Sequence, residues 1–311
     1  MYYPYFRGKQ FELITIRECA LLMAQSGFVP IIEPVKEPLR GLERTLRAIC
    51  EVGGRAVVVV NPRHGDHQGN GDEISGLLRD GYVGNKLVSA GILLKENMTI
   101  EDVMSCYLQH EGHSPVFVHA GYPAGKLLSE ALSGDAGSVS NIFVEANCGK
   151  LYRKHFHGKP RILLRDGFER RRNADHPMVE EFSDLHVTFQ EEGMDGFGDF
   201  LIVGDDFSEG GGPAYAVAIH LTFIDPEKDD AMYVYHFVSD TRDTPTDPAG
   251  KFAEALRKLI EVLDSGRSHL FETDAIGEFR NLYRNGHFPG LGYVKKLSMN
   301  HHIETLSRYF S

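Results

Sequence analysis

Along the chain, short runs rich in Val, Ile and Leu alternate with longer stretches in which apolar residues recur every three or four positions. The first pattern predicts β-strands and the second predicts amphipathic helices. Eight apolar runs fall at 2–6, 28–32, 56–60, 91–94, 116–118, 141–144, 161–164 and 199–203. Ala56-Val-Val-Val-Val60 and Arg161-Ile-Leu-Leu164 are almost continuously apolar, as parallel strands covered on both faces should be. Leu13, Ile16, Ala20, Leu21 and Ala24 share one helical stripe, and Phe252, Ala255, Leu256, Leu259, Ile260 and Leu263 share another. Gly27, Gly53, Gly54, Gly112, Gly137 and Gly158 stand where helices should stop. Repeated strand–helix units of this kind predict an α/β fold, a (β/α)8 TIM-like barrel.

After the eighth run the rhythm changes. Stretches 214–224 and 231–239 read as two strands joined by the polar turn Asp225-Pro-Glu-Lys-Asp-Asp230. They predict a β-hairpin inserted at about 214–239, before the last barrel helix. The expected organisation is a barrel over 1–269 that includes this hairpin, with a C-terminal extension over 270–311 packed on the barrel.

Composition narrows the class without changing the fold. The 311 residues are 42% hydrophobic and 25% charged, which excludes a disordered or fibrous chain. Thirty-three Lys and Arg against 44 Asp and Glu leave a formal charge of −11, which disfavours direct nucleic-acid binding. The four cysteines show no C-x-x-C spacing and read as thiols of a reducing compartment. No apolar run is long enough to cross a membrane and the first residues lack the order of a signal peptide, so the expected location is cytoplasmic. Walker, G-x-G-x-x-G, G-x-S-x-G and H-E-x-x-H motifs are all missing, which removes the commoner ATPases, Rossmann enzymes, hydrolases and zincins.

A barrel carries its chemistry at the C-terminal ends of its strands, so the residue after each apolar run is the one to inspect. Those positions hold Arg7 and Lys9, Glu33, Asn61, Lys95, His119, Glu145, Arg165, and Asp205 with Asp206. Glu33, Glu145, Lys95 and His119 are the candidates for acid–base or nucleophilic work. Arg7, Lys9, Asn61 and Arg165, with the turn Gly210, Gly211 and Gly212, are candidates for holding a phosphate. Asp205 and Asp206, helped by Glu33, Glu145 and His119, fit the oxygen-rich shell of Mg2+ or Mn2+; an ion-pair network without metal fits the same residues. The run Arg170-Arg171-Arg172 reads as local charged surface, and the loop pairs His64/His67 and His155/His157 are weak signals.

The opening Tyr3-Pro4-x-x-Arg7-Gly8-Lys9-x-x-Glu12, then Ile31-Ile32-Glu33-Pro34, Asn61-Pro62, Phe197-Gly198-Asp199 and Asn300-His301-His302, resembles the phage beta-protein family along the length of the chain. The resemblance implies a barrel-like fold and a place in a mobile or phage-defence locus; it brings no catalytic residues with it. It also marks His301 and His302, which a folded-back C-terminus could deliver to the barrel rim as ligand-binding groups. Two functions follow. In one, the rim binds a phosphorylated or nucleotide-like small ligand, with hydrolase or lyase chemistry open to it. In the other, the protein is a non-catalytic defence component that binds or restrains a co-encoded toxin or nuclease-like partner, docking through the aromatic hairpin and the C-terminal extension. Retained activity in a rim variant would favour the second.

Overall fold

The computed structural model describes residues 1–133, 139–210, 212 and 214–311; Gly137 and Gly211 lie outside them. Chain contacts divide it into two units, Met1–Asp166 with Thr188–Phe200, and Gly167–Val187 with Leu201–Ser311.

The first unit is the (β/α)8 barrel. Its strands are β1 (Tyr5–Phe6), β2 (Ile31–Ile32), β3 (Ala56–Val59), β4 (Val88–Lys95), β5 (Val116–Ala120), β6 (Ser140–Val144) and β7 (Arg161–Leu164). The eighth position is taken by Gly196–Gly198, which is β9 because another strand, β8 (Val179–Ser183), intervenes in the chain. All neighbours run parallel in the order β1 to β7 and then β9. The ring closes through a parallel bridge between Tyr2 and Phe197 and through hydrogen bonds from the Tyr3 and Tyr5 N–H groups to Phe197 and Asp199 carbonyls. Helices α1 (Gln10–Glu18), α2 (Ala20–Gln25), α3 (Arg40–Glu51), α4 (Asp72–Gly81), α5 (Ile100–Gln109), α6 (Gly125–Ala131) and α7 (Lys150–Arg153) follow β1 to β6.

Alternation along the strands sorts two layers. Tyr5, Ile31, Val57, Val59, Leu93, Val116, Val118, Ile142, Val144, Ile162 and Leu164 form one buried cluster, the filling of the barrel. The intervening residues, such as Phe117, Phe143 and Leu163, are buried as well, and they face the helical layer.

The eighth strand differs from the expected 199–203. That stretch is apolar, but Leu201–Val203 forms a 3-10 turn, and the chain pairs with β7 at Gly196–Gly198 instead. Closure explains the choice: a Cβ on Gly196 would lie 2.8 Å from the Met1 carbonyl, and one on Gly198 would collide with the Tyr3 carbonyl and Leu164. Only residues without side chains let this strand meet β1 so closely.

The second unit revises the expected domain boundaries. It contains a three-stranded antiparallel sheet in the order β10 (Ala218–Asp225), β11 (Ala231–Val238), β8, after the four-residue α8 (Leu185–Thr188). Helices α9 (Pro248–Asp264), α10 (Asp274–Asn285) and α11 (Leu291–Tyr309) complete it. The hairpin is therefore the framework of a separate unit. Ile219, Leu221, Phe223 and Phe237 bury one sheet face with Phe252, Leu256 and Leu259 of α9, Ile276 and Phe279 of α10, and Leu297 of α11. The apolar stripe read as the last barrel helix covers this sheet, because the hairpin supplies the apolar face it needs. Among the described residues, no helix is long and apolar enough to cross a membrane.

Candidate functional site

The inward alternation of the barrel strands does not stop at the last apolar layer. Continuing it by two residues gives Arg7 after Tyr5, Glu33 after Ile31, Asn61 after Val59 and Lys95 after Leu93, so four neighbouring strands place polar groups at the C-terminal mouth. Glu33 is fully buried; it accepts hydrogen bonds from Tyr5 Oη (2.9 Å) and the Arg63 backbone N–H (2.7 Å), and it is ion-paired with Arg7. The Arg7 guanidinium also lies over the Tyr5 and Phe200 rings, 4.9 and 5.5 Å from their centroids. Arg63 spans the mouth, reaching Glu96 at 3.1 Å and the Ala120 carbonyl. On the far strands, Arg165 holds Glu145 in a two-pronged contact at 2.6 and 3.2 Å.

Lys95 stands apart within this network. Its ammonium donates to the Asn61 carbonyl at 3.2 Å and, among the described residues, forms no ion pair within 4.0 Å. Burial lowers its pKa, the charge of Arg63 lowers it further, and Glu33, Cys106 and Glu96 oppose them. Asn61 has a backbone role, since its side-chain amide donates to the Leu93 carbonyl (2.9 Å) and accepts from the Leu93 N–H (2.7 Å), extending the β3–β4 ladder. Lys9 precedes α1, and its backbone N–H donates to Glu12 Oε2 at 3.4 Å.

Several expected site residues prove to be elsewhere. His119 belongs to the outward-facing set of β5, because that strand runs on to Ala120 and alternation turns position 119 away from the barrel filling. Its ring bonds Asn141 Oδ1 (3.0 Å) and Tyr152 Oη (2.8 Å) and stacks on Phe143, and burial depresses its pKa to about 3. A neutral imidazole sealed in an aromatic box cannot shuttle protons at the mouth. His301 and His302 are likewise fully buried, in the core of the second unit. His301 bonds Thr273 Oγ1 (2.8 Å) and donates to the Thr222 carbonyl (2.9 Å), and His302 bonds Thr222 Oγ1 (2.9 Å); these rings hold α11 to its own sheet and are not open to a ligand.

The oxygen-ligand site expected for Mg2+ or Mn2+ is not what the described residues form. Glu33 and Glu145 are taken up by Arg7 and Arg165, and Asp206 pairs with Arg170 at 3.3 Å, while neither Asp206 nor Asp205 stands in a group of three ligand atoms. Gly210 and Gly212 are exposed turn residues of the second unit, and the Gly210 carbonyl accepts from Ser208 Oγ at 2.6 Å.

Among the described residues, one group of potential metal ligands does assemble, and it is nitrogenous: His176, His220 and His236 of the second unit, with ligand atoms all within 4.8 Å of one another. The turn at 225–230 sets the register that pairs His220 directly with His236. Counting outward from that turn would have revealed the pair in the sequence, whereas His176 arrives from a loop before β8 that carries no periodic signal. Glu180 of β8 lies 2.9 Å from His236 Nε2 and 3.6 Å from His176 Nδ1, and Arg171 holds both of its oxygens at 2.6 Å. Burial depresses the pKa of all three rings, that of His236 to about 4. The run Arg170-Arg171-Arg172 is exposed, as read, and through Arg171 it also holds Glu180.

Comparison with known proteins adds nothing to these geometries, since no known family's sequence profile matches the chain and no curated protein is similar to it.

Proposed function

We propose that the barrel unit binds a small anionic ligand of the phosphorylated or nucleotide-like class in its C-terminal mouth, and that Lys95 meets it. The observation that carries this reading is the Lys95 ammonium, which forms no ion pair within 4.0 Å among the described residues. It stands in the inward register of β4, next to Arg63, while the carboxylates around it are engaged by arginines. Arg7, Arg63 and Arg165 are held by Glu33, Glu96 and Glu145, which leaves Lys95 as the cation of this set for an entering anion to meet, and its half-buried setting strengthens the attraction relative to water. A lysine with a lowered pKa can also act as a general acid or, when deprotonated, as an amine nucleophile, which keeps lyase or hydrolase chemistry within reach. The resemblance to the phage beta-protein family would set this chemistry in a phage-defence or mobile-element locus.

The test is a thermal-shift and calorimetric screen of the full chain against inorganic phosphate, pyrophosphate, nucleoside triphosphates and sugar phosphates. A ligand present at a hundred times its Kd stabilises the folded state by about 2.7 kcal/mol, a readily seen rise in Tm. The expected result is a rise with at least one anion, lost in Lys95→Met and kept in Lys154→Met, which alters an exposed lysine outside the mouth. A flat screen, or a response that survives Lys95→Met, overturns the reading.

A further inference from the structure

The three histidines of the second unit carry an inference independent of the barrel mouth. We propose that His176, His220 and His236 form a binding site for a divalent first-row transition ion of the Zn2+ class, with an open coordination position that accepts an anionic ligand.

The donors define the metal. Three imidazole nitrogens, grouped with no carboxylate oxygen among the described residues, make a borderline-soft, neutral site, which suits Zn2+ and its neighbours and is poor for Mg2+ or Ca2+. They come from two paired strands and the adjoining loop, so the backbone register that aligns His220 with His236 also fixes their spacing. His220 Nδ1 and His236 Nδ1 lie 2.7 Å apart, a hydrogen bond in which one ring donates to the other. Zn–N bonds of about 2.0–2.1 Å at tetrahedral angles need nitrogens roughly 3.3 Å apart. A rotation of the two rings that opens the pair by about 0.6 Å, with the shared proton moving from His220 Nδ1 to its Nε2 so that both rings stay neutral, therefore converts the contact into two ligands.

Glu180 supports the same reading. Its carboxylate at 2.9 Å from His236 Nε2 favours the tautomer with the proton on Nε2, which leaves Nδ1 unprotonated and turned toward His220. A carboxylate that fixes the far nitrogen of a metal-binding histidine is the usual outer partner of such sites. Arg171 anchors that carboxylate in turn, and the parallel His176 and His236 rings, with centroids 4.3 Å apart, pack beside Phe168.

The cavity beside the histidines defines the ligand. His176 and His220 line a space of about 980 Å³, as do Arg171, Arg172, Arg242 and Lys295, while Asp175 is the one lining carboxylate among the described residues. Three nitrogens leave a fourth position for water or an exogenous group. A dipositive ion with neutral ligands and a basic surround selects an anion there, a phosphate or carboxylate oxygen.

The experiment uses the full chain, stripped with EDTA and exchanged into chelator-free buffer. Titration with Zn2+ by calorimetry and with Co2+ by visible absorption should show one equivalent per chain, with the intense Co2+ bands of a four-coordinate site, and Zn2+ should raise the Tm. His176→Asn and His220→Asn should lose that equivalent, and His155→Gln, an exposed histidine elsewhere, should keep it. Glu180→Gln should weaken binding by about 10- to 100-fold. Circular dichroism separates lost binding from lost folding; should His220→Asn fail to fold, His176→Asn carries the comparison. No bound equivalent in the unaltered chain, or unchanged binding in His176→Asn, overturns the proposal.

Discussion

At the residue scale, the mouth of the barrel combines a stability device with a candidate binding group, and the two must be kept apart. Glu33 has no exposed surface and its partner Arg7 very little, so neutralising the carboxylate leaves a buried guanidinium uncompensated. Glu33→Gln should therefore lower stability by about 3 kcal/mol or more, read from urea unfolding. Arg7→Met combined with Glu33→Gln should recover much of that loss, since the double variant buries no charge and the amide oxygen can still accept from Tyr5 Oη or the Arg63 N–H. An additive double variant would show that the pair is not the source. Lys95, by contrast, is half-buried and meets a single backbone carbonyl, so its replacement probes ligand binding with less damage to the fold. Arg7, Glu33 and Lys95 were legible in the sequence because each follows its apolar run at the inward-facing register. His119 was misread for want of one step: β5 extends past Val118 to Ala120, and that extension decides which face position 119 takes.

At the element scale, glycine separates two kinds of position that look alike in the sequence. Gly198 closes the barrel, and a Cβ there would meet backbone of the first strand segment; Gly198→Ala should destabilise by about 2–3 kcal/mol, as overpacking of a rigid seam does. Gly277 sits within α10 with nothing within 4 Å of an added Cβ, so Gly277→Ala should stabilise by about 0.5–1 kcal/mol through helix propensity and a less free unfolded chain. Opposite signs in chemical unfolding are the expected outcome, and a neutral Gly198→Ala would refute the account of closure. The barrel strands were legible from apolar runs because parallel strands are buried on both faces. The eighth was not, since steric closure rather than apolarity selects Gly196–Gly198 over the more hydrophobic stretch after it. The second unit escaped a linear reading for a related reason: β8 joins its sheet from a segment between two barrel strands, and only pairing in space joins it to β11.

At the scale of the whole molecule, each unit buries a histidine that the folded chain keeps neutral. His119 in the barrel unit and His301 in the second unit have no exposed surface, and burial depresses their pKa values to about 3 and about 4. Unfolding returns both rings to about 6.5, so below that pH the unfolded chain binds protons that the folded chain does not. Stability from these groups is therefore complete above pH 6.5 and is lost as pH falls toward the folded values. Each ring costs at most about 1.4 kcal/mol per pH unit, and because the unfolded rings are mostly protonated below pH 6, the two together should remove roughly 2–3 kcal/mol between pH 6 and pH 5. Carboxylates with depressed values, such as Asp102 capping α5 through the Thr99 N–H, give up their contribution at lower pH, below their ordinary range. Over the window from pH 6.5 to pH 5 the other depressed histidines, His110, His176, His220 and His236, add to the loss, while Glu304, whose carboxyl pKa burial raises, works against it. Urea unfolding at half-unit steps across it should show a falling midpoint with unchanged cooperativity. His119→Gln should be less stable at pH 7 and should flatten the slope by about one proton, because the amide has nothing to titrate. A slope equal to that of the unaltered chain would show that His119 is not held neutral by burial in the folded barrel.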